Sequence, residues 1–153
     1  AALVQIGPAP VSLAPALAEM SRLFVEDGLN HRWRASSLAR HVRDPNSEVA
    51  AACDGDVVVG FVVARYFSER AHINLLAVRP QYRRRGVGRL LMHWVESMAI
   101  VAGCFHVSLE VRAKNDGARR FYQRLGYRHA RTIPEYYDGR EAAHRMQRDL
   151  RGD

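Results

Sequence analysis

A chain of 153 residues with 48% apolar and 25% charged residues carries enough material for one sizeable core and reads as a single soluble domain over 1–153. Lys and Arg outnumber Asp and Glu by 23 to 16, all but Lys114 of the basic residues being Arg, and the net charge of +7 favours an anionic partner without choosing between nucleic acid, a phosphorylated cofactor and an acidic protein surface. No apolar run approaches the roughly 18 residues of a membrane span and no leader pattern opens the chain, while Cys53 and Cys104 lack metal-ligand spacing, so a cytoplasmic protein with buried free thiols is expected. Leu13, Leu17, Met20, Leu23 and Phe24 recur at helical spacing and predict an amphipathic helix within residues 11–27, ended by Gly28 and Asn30. Ser36 and Ser37 precede a shorter helical pattern through Leu38, His41 and Val42, which Asp44-Pro45-Asn46 stops. Two β-type runs flank the hairpin signal Asp54-Gly55-Asp56, and a third runs from His72 to Val78.

From Gly86 to Val101 the residues Val87, Leu90, Leu91, Trp94, Val95 and Met98 mark a long helix, closed by Gly103. A strand over Phe105 to Val111, a short helix from Asp116 to Leu125, a strand from Tyr127 to Ile133 and a last strand from Ala142 to Leu150 complete the chain. The order ααβββαβαββ, with no repeat and no linker, predicts an α/β (α+β) fold in which helices pack on a mixed, mostly antiparallel central sheet.

The run QYRRRGVGRLL, residues 81–91, follows a strand and opens a helix. The first turn of a helix leaves backbone N–H groups unpaired and pointing outward, and glycine lets the chain approach an anion closely, so this is a candidate phosphate site. Neither a Gly-Lys-Ser/Thr ending nor Gly-x-Gly-x-x-Gly is present, which disfavours a nucleoside triphosphate or a dinucleotide.

Arg83-Arg84-Arg85-Gly86-Val87-Gly88 resembles the Arg/Gln-x-x-Gly-x-Gly/Ala signature of the GNAT superfamily of acyl-CoA N-acyltransferases. LLAVRPQYRRRGVGRLL, LEVRAKNDGARRFYQRLGY and YYDGREAA, within residues 72–143, are together similar to the ribosomal-protein alanine N-acetyltransferases and other protein N-terminal acetyltransferases. The resemblance implies acetyl-CoA as co-substrate and direct transfer of acetyl to an amine. It implies that Leu76, Ala77 and Val78 pair with the pantetheine arm, and that Arg83, Arg84, Arg85, Gly86, Val87, Gly88 and Arg89 surround the pyrophosphate. Asn115 and Tyr122 would also touch the cofactor.

By the same resemblance Glu110 is the general base and Tyr122 the acid toward the leaving thiolate. Desolvation of a half-buried strand Glu leads to the expectation of a pKa raised toward neutrality. A pairing of Glu110 with Arg112 or another arginine, and a purely core role for Tyr122, are the plain structural alternatives, as is an N-cap role for Asn115. Trp33, Tyr136 and Tyr137 fall where the resemblance places the walls of an acceptor slot.

The chain departs from that pattern in a short hairpin with Ala142 where an acidic residue usually stands, in a polar last strand, and in basic His31, Arg32 and Arg34 beside the slot. These suit an acceptor carrying an acidic group. The leading reading is acetylation of a protein N-terminal α-amine; acetylation of a small amine or amino acid, and a non-catalytic RNA- or ribosome-binding module, are the alternatives. No metal is implied by the spacing of His72, His93, His106, His129 and His144, no direct contact with nucleic acid is expected, and monomer and homodimer both remain open.

Overall fold

In a computed structural model that describes residues 4–152, a seven-stranded sheet runs through the molecule in the order β1-β2-β3-β4-β5-β7-β6. Its strands are β1 (Val4–Pro8), β2 (Ser47–Asp54), β3 (Val57–Tyr66), β4 (Arg70–Val78), β5 (His106–Arg112), β6 (Arg128–Tyr137) and β7 (Glu141–Asp149). All neighbours are antiparallel except β4 and β5. The helices are α1 (Ala14–Phe24), α2 (Ala35–Arg43), α3 (Val87–Val101) and α4 (Asp116–Arg124).

The expected sheet and helices are present in the expected order, preceded by one element the sequence pattern did not single out. That element is β1, whose five residues VQIGP pair with Ala50 to Asp54 at the edge of the sheet. A run so short, ending in Pro, carries too little alternation to stand out, and its pairing with β2 supplies what local propensity lacks.

The sheet separates two cores. One joins Val59, Val62, Ile73, Val107, Leu109 and Met146 to the inner stripe of α3, and the other joins Phe61, Val63, Leu75 and Ala77 to Leu17 and Met20 of α1 and Leu38 of α2. Gly60 permits the close seat of α3, since a Cβ there would stand 3.0 Å from the Ala77 carbonyl oxygen and 3.1 Å from Val87 Cγ1.

The helix faces differ from the sequence pattern at particular residues. Leu23 and Leu90 are largely exposed, and the buried stripe of α3 instead includes Glu96, a charged residue that periodicity would assign to solvent. Glu96 is tolerated inside because Tyr127 Oη donates to its Oε2 at 2.8 Å and Arg148 Nη1 reaches the same oxygen at 3.2 Å. Helix α1 ends at Phe24, before Gly28, and α2 starts at Ala35 with Arg34 at its N-cap, so Ser36 and Ser37 lie inside the helix rather than ahead of it.

The early end of α1 has a cause in Glu26. Its buried carboxylate accepts from Ser21 Oγ at 2.8 Å and from the backbone N–H of Trp33 at 3.3 Å, also receives the Arg32 N–H, and lies 3.0 Å from His31 Nδ1. The connection between α1 and α2 therefore folds around a carboxylate instead of continuing the helix.

Candidate active site

The parallel pairing of β4 with β5 runs only from Arg70 opposite His106 to Ile73 opposite Leu109. Beyond that rung β4 stays with β3 up to Val78 while β5 follows β7 up to Arg112, so the two strands part and open a fork in the sheet. Leu76, Ala77 and Val78 form one edge of the fork and have no β5 partner in the register. This is the geometry needed to receive an extended amide-bearing chain as an added strand.

At the mouth of the fork α3 begins. Gly86 is its N-cap in a left-handed conformation, φ 81°, and Arg84 two residues earlier is also left-handed at φ 63°. No acidic residue lies in the first turn, so the outward N–H groups of Val87, Gly88 and Arg89 meet no internal anion.

The glycines have distinct reasons. Gly86 has open space around it and is required by its backbone angle, whereas a Cβ on Gly88 would stand 3.0 Å from Phe121 Cζ of α4. The missing Cβ of Gly88 therefore leaves room for Phe121 of α4.

Two of the arginines hold the loop itself. Arg83 Nε donates to the Val78 carbonyl at 3.3 Å, and the Arg85 guanidinium stands 5.2 Å from the centre of the Tyr82 ring. Arg84 and Arg89 make no ion pair or side-chain hydrogen bond among the described residues and face solvent.

Glu110 sits on β5 one residue past the last rung, its side chain only 6% exposed. His72 Nε2 donates to Oε1 at 2.9 Å, Tyr136 Oη donates to the same oxygen at 3.3 Å, and Arg145 Nε donates to Oε2 at 2.6 Å. His72 is in turn 3.0 Å from Ser108 Oγ through Nδ1. The partner is thus Arg145, opposite Glu110 in the β5–β7 register, and not Arg112.

These contacts overturn the expected upward shift. Burial is the largest single influence and pushes the Glu110 carboxyl up, but hydrogen bonds and charge from His72 and Arg145 outweigh it and hold the pKa below its ordinary 4.5. A carboxylate offers about four acceptor sites, of which three are filled, leaving one on Oε2 for an incoming donor.

Tyr122 on α4 is buried, its ring edge-on to Phe121 at 5.0 Å and to Tyr127 at 5.9 Å, and burial pushes its phenol well above the usual value. Such a phenol keeps its proton against a thiolate and acts as a hydrogen-bond donor rather than a full acid. Asn115 caps α4, its Oδ1 accepting from Ala118 N at 3.1 Å.

Tyr137 lies among Tyr136, Glu110, Tyr122 and Arg112, all of which act on its hydroxyl, so the hairpin pair stands beside both Glu110 and Tyr122. The Tyr136 ring meets Tyr137 at 86° and is 42% exposed.

Trp33 behaves otherwise. Its ring packs on the α1–α2 core and tilts over His41 at 5.2 Å, and it is the neighbouring Arg32 that reaches the hairpin, 3.5 Å from Asp138 Oδ1. Asn30 N also donates to Asp138 Oδ2 at 2.7 Å, and Arg140 Nη2 donates to the Gly28 carbonyl at 3.3 Å. The α1–α2 connection and the β6–β7 hairpin are therefore tied together.

Arg112 adds a second tie by donating to the backbone carbonyls of Val25 and Asp27 while forming a two-bond pair with Glu141 at 2.8 Å each. Arg112 and Lys114 hold the Glu141 carboxyl down to about 2. A group whose folded pKa is depressed adds stability above its unfolded value and loses it as pH falls. The stability gap between wild type and Glu141→Gln is expected to be constant at neutral pH, to shrink below about pH 4.5 and to vanish near pH 2 in denaturant titrations; a gap independent of pH would disprove the pairing.

Sequence reasoning did not place His72 or Arg145 at the site. Their only signal was register: each lies opposite a β5 residue, Ser108 for one and Glu110 for the other. The hairpin also brings His129 Nε2 within 3.1 Å of His144 Nδ1, with Thr132 Oγ1 bridging them, an encounter hidden by the bulges between β6 and β7. Among the described residues no group of three or more His, Cys, Asp or Glu gathers as a metal site, and no helix is long and apolar enough to cross a membrane.

Residues 14–127 match the family model described as acetyltransferase (GNAT) family. The chain belongs to this family. An uncharacterized N-acetyltransferase of Methanocaldococcus jannaschii is 39% identical over 100 residues, which are 65% of this chain and 64% of that relative, so the match spans just under two thirds of the relative's length.

Among solved structures, Ard1 from Thermoplasma volcanium superposes with a TM-score of 0.85 at 27% identity over 96% of this chain and 97% of its own. The ribosomal-protein-S18-alanine N-acetyltransferase from Escherichia coli does so with 0.81 at 24% identity, covering 97% and 94%, a likeness of fold. In this GNAT chain Glu110 lies one residue beyond the last β4–β5 rung, where the two strands part.

Proposed function

We propose that this chain is an acetyl-CoA-dependent N-acetyltransferase whose acceptor is a protein N-terminal α-amine, favoured where an acidic residue follows. The observation that carries the reading is the position of Glu110. It stands where β4 and β5 part, beside Tyr136 and Tyr137 of the hairpin, with one carboxylate site free.

Acetyl-CoA supplies a thioester carbonyl, and its pyrophosphate fits the first turn of α3 beside exposed Arg84 and Arg89. The fork edge at Leu76 to Val78 suits the amides of the pantetheine arm.

The chain's own groups then manage protons. A carboxylate held below 4.5 is a poor base toward an ordinary ammonium, so the amine enters in its neutral fraction, with Glu110 receiving one of its N–H groups. As the new N–C bond forms the nitrogen becomes cationic and strongly acidic. Glu110 then takes its proton, the C–S bond breaks, and Tyr122 donates a hydrogen bond to the departing sulfur, which is protonated from solvent.

Acceptor choice follows from the rim. Arg32 is 71% exposed and Arg145 is 37% exposed, and both act on the Tyr136 hydroxyl at the entrance. A negative side chain next to the amine meets two cations there, and a basic one meets repulsion. The resemblance in fold to an enzyme named for a ribosomal-protein alanine supports a peptide acceptor.

Mass spectrometry of peptides incubated with protein and acetyl-CoA tests this reading. Free N-termini followed by Asp or Glu are expected to gain an acetyl group, N-terminally blocked peptides with an internal Lys to stay unmodified, and basic second residues to react more slowly. Small amines outpacing every peptide would replace the peptide acceptor, and no transfer to any amine would leave a binding module instead.

A further inference from the structure

Asn74 lies at the point where β4 leaves β5. In the β3–β4 ladder Val63 faces Leu75 and Ala64 faces Ile73, so Asn74 is the extra residue of a bulge, and the β4–β5 ladder has already ended at Ile73. The strand exchanges faces here: Ala71 and Ile73 belong to the α3 core, Leu75 and Ala77 to the α1–α2 core.

Among the described residues Asn74 Oδ1 is the one buried side-chain N or O atom without a hydrogen-bond partner. Leaving a carboxamide oxygen buried and unpaired is unfavourable, and Leu, with the same branching of side-chain heavy atoms, carries no such polar group. Asn74 and Glu110 are each the first residue after the last β4–β5 rung, Ile73 opposite Leu109.

We propose that Asn74 Oδ1 accepts an N–H of the acceptor amine inside the fork, turning the nitrogen lone pair toward the thioester carbonyl. This rests on the acetyltransferase reading of the site. Glu110 has a single carboxylate position free, so a primary amine bound there has a second N–H that needs an acceptor. As the nitrogen becomes cationic its N–H groups become stronger donors, and a fixed neutral oxygen gains more in the transition state than in the ground state. Loss of Asn74 therefore falls on kcat more than on KM. The amide N–H groups of the pantetheine arm are the competing source of the same chemistry, and binding measurements distinguish them.

The test compares wild type with Asn74→Leu and Asn74→Ala for melting temperature, acetyl-CoA affinity by calorimetry, and kcat and KM for a peptide amine. The expected result is a melting temperature for Asn74→Leu equal to or above wild type, acetyl-CoA affinity within about twofold, and kcat lower by about tenfold to a hundredfold in both variants. Wild-type kcat in a folded variant overturns the inference, and so does a loss that lies wholly in acetyl-CoA affinity, which would assign the contact to the pantetheine arm. A wild type that acetylates no amine removes the reading of the site and this inference with it, whereas an active wild type beside equally active variants removes the inference alone.

Discussion

Glu110→Gln is expected to lower kcat by about 10²- to 10⁴-fold while acetyl-CoA affinity stays within about twofold. Gln keeps the volume and one acceptor oxygen, so the fork should retain its shape, but it can take no proton from the nitrogen as the N–C bond forms. The cofactor cradle lies at the start of α3, and none of its residues contacts the Glu110 carboxylate.

The pH profile discriminates further. With its pKa held below 4.5, Glu110 is ionised throughout the neutral range, so the rate should rise with the deprotonation of the acceptor amine near pH 8 and show no carboxylate limb above about pH 5. Arg145→Gln removes one of the two groups that depress the carboxyl, and burial, which opposes them, then gains weight. The acid limb should move upward in that variant. A Glu110→Gln enzyme within threefold of wild type would end the assignment of Glu110 as the proton acceptor.

The second large effect lies at Gly86. Gly86→Val forces a β-branched residue to φ 81°, which costs about 1–2 kcal/mol or more, and relaxation of the turn would disperse the N–H groups that face the anion. Acetyl-CoA affinity should fall by about fivefold to thirtyfold or beyond, since about 1.4 kcal/mol corresponds to tenfold.

Arg84→Ala, by contrast, removes an exposed charge worth about 0.2–1 kcal/mol, a loss of about fivefold at most. Calorimetry that ranked the two variants the other way would show that side-chain charge, not backbone geometry, holds the pyrophosphate. Gly88→Ala should weaken affinity for a different reason, by pressing a Cβ against Phe121 at 3.0 Å and displacing the helix that carries Tyr122.

Periodicity was sufficient for the long elements, because α3 and the β2–β3 hairpin bury large apolar faces whose spacing is written directly into the chain. It misplaced Leu23 and Leu90 and gave no sign of buried Glu96, since a helix face is decided by what stands opposite it, and Glu96 goes inside because Tyr127 and Arg148 meet it there. Glu110 and Tyr122 were legible only through the motifs around them.

What surrounds Glu110 was not legible. His72 and Arg145 are 38 and 35 residues away in sequence, and reach it through a parallel crossover and a cross-strand register that no local pattern contains. The direction of the Glu110 shift failed for the same reason: burial can be guessed from a strand position, but the hydrogen-bonding partners that outweigh it come from distant strands.

The Glu26 carboxylate gives the acceptor side of the molecule a particular kind of freedom. Its contacts to Arg32 and Trp33 are made with main-chain N–H groups, not with the side chains of those residues. The path of the α1–α2 connection is therefore fixed independently of which side chains it displays toward the β6–β7 hairpin. On the proposed reading, substituting Arg32 can change which acceptors enter while the backbone beside the hairpin keeps its course, so acceptor preference can shift without redesign of the scaffold.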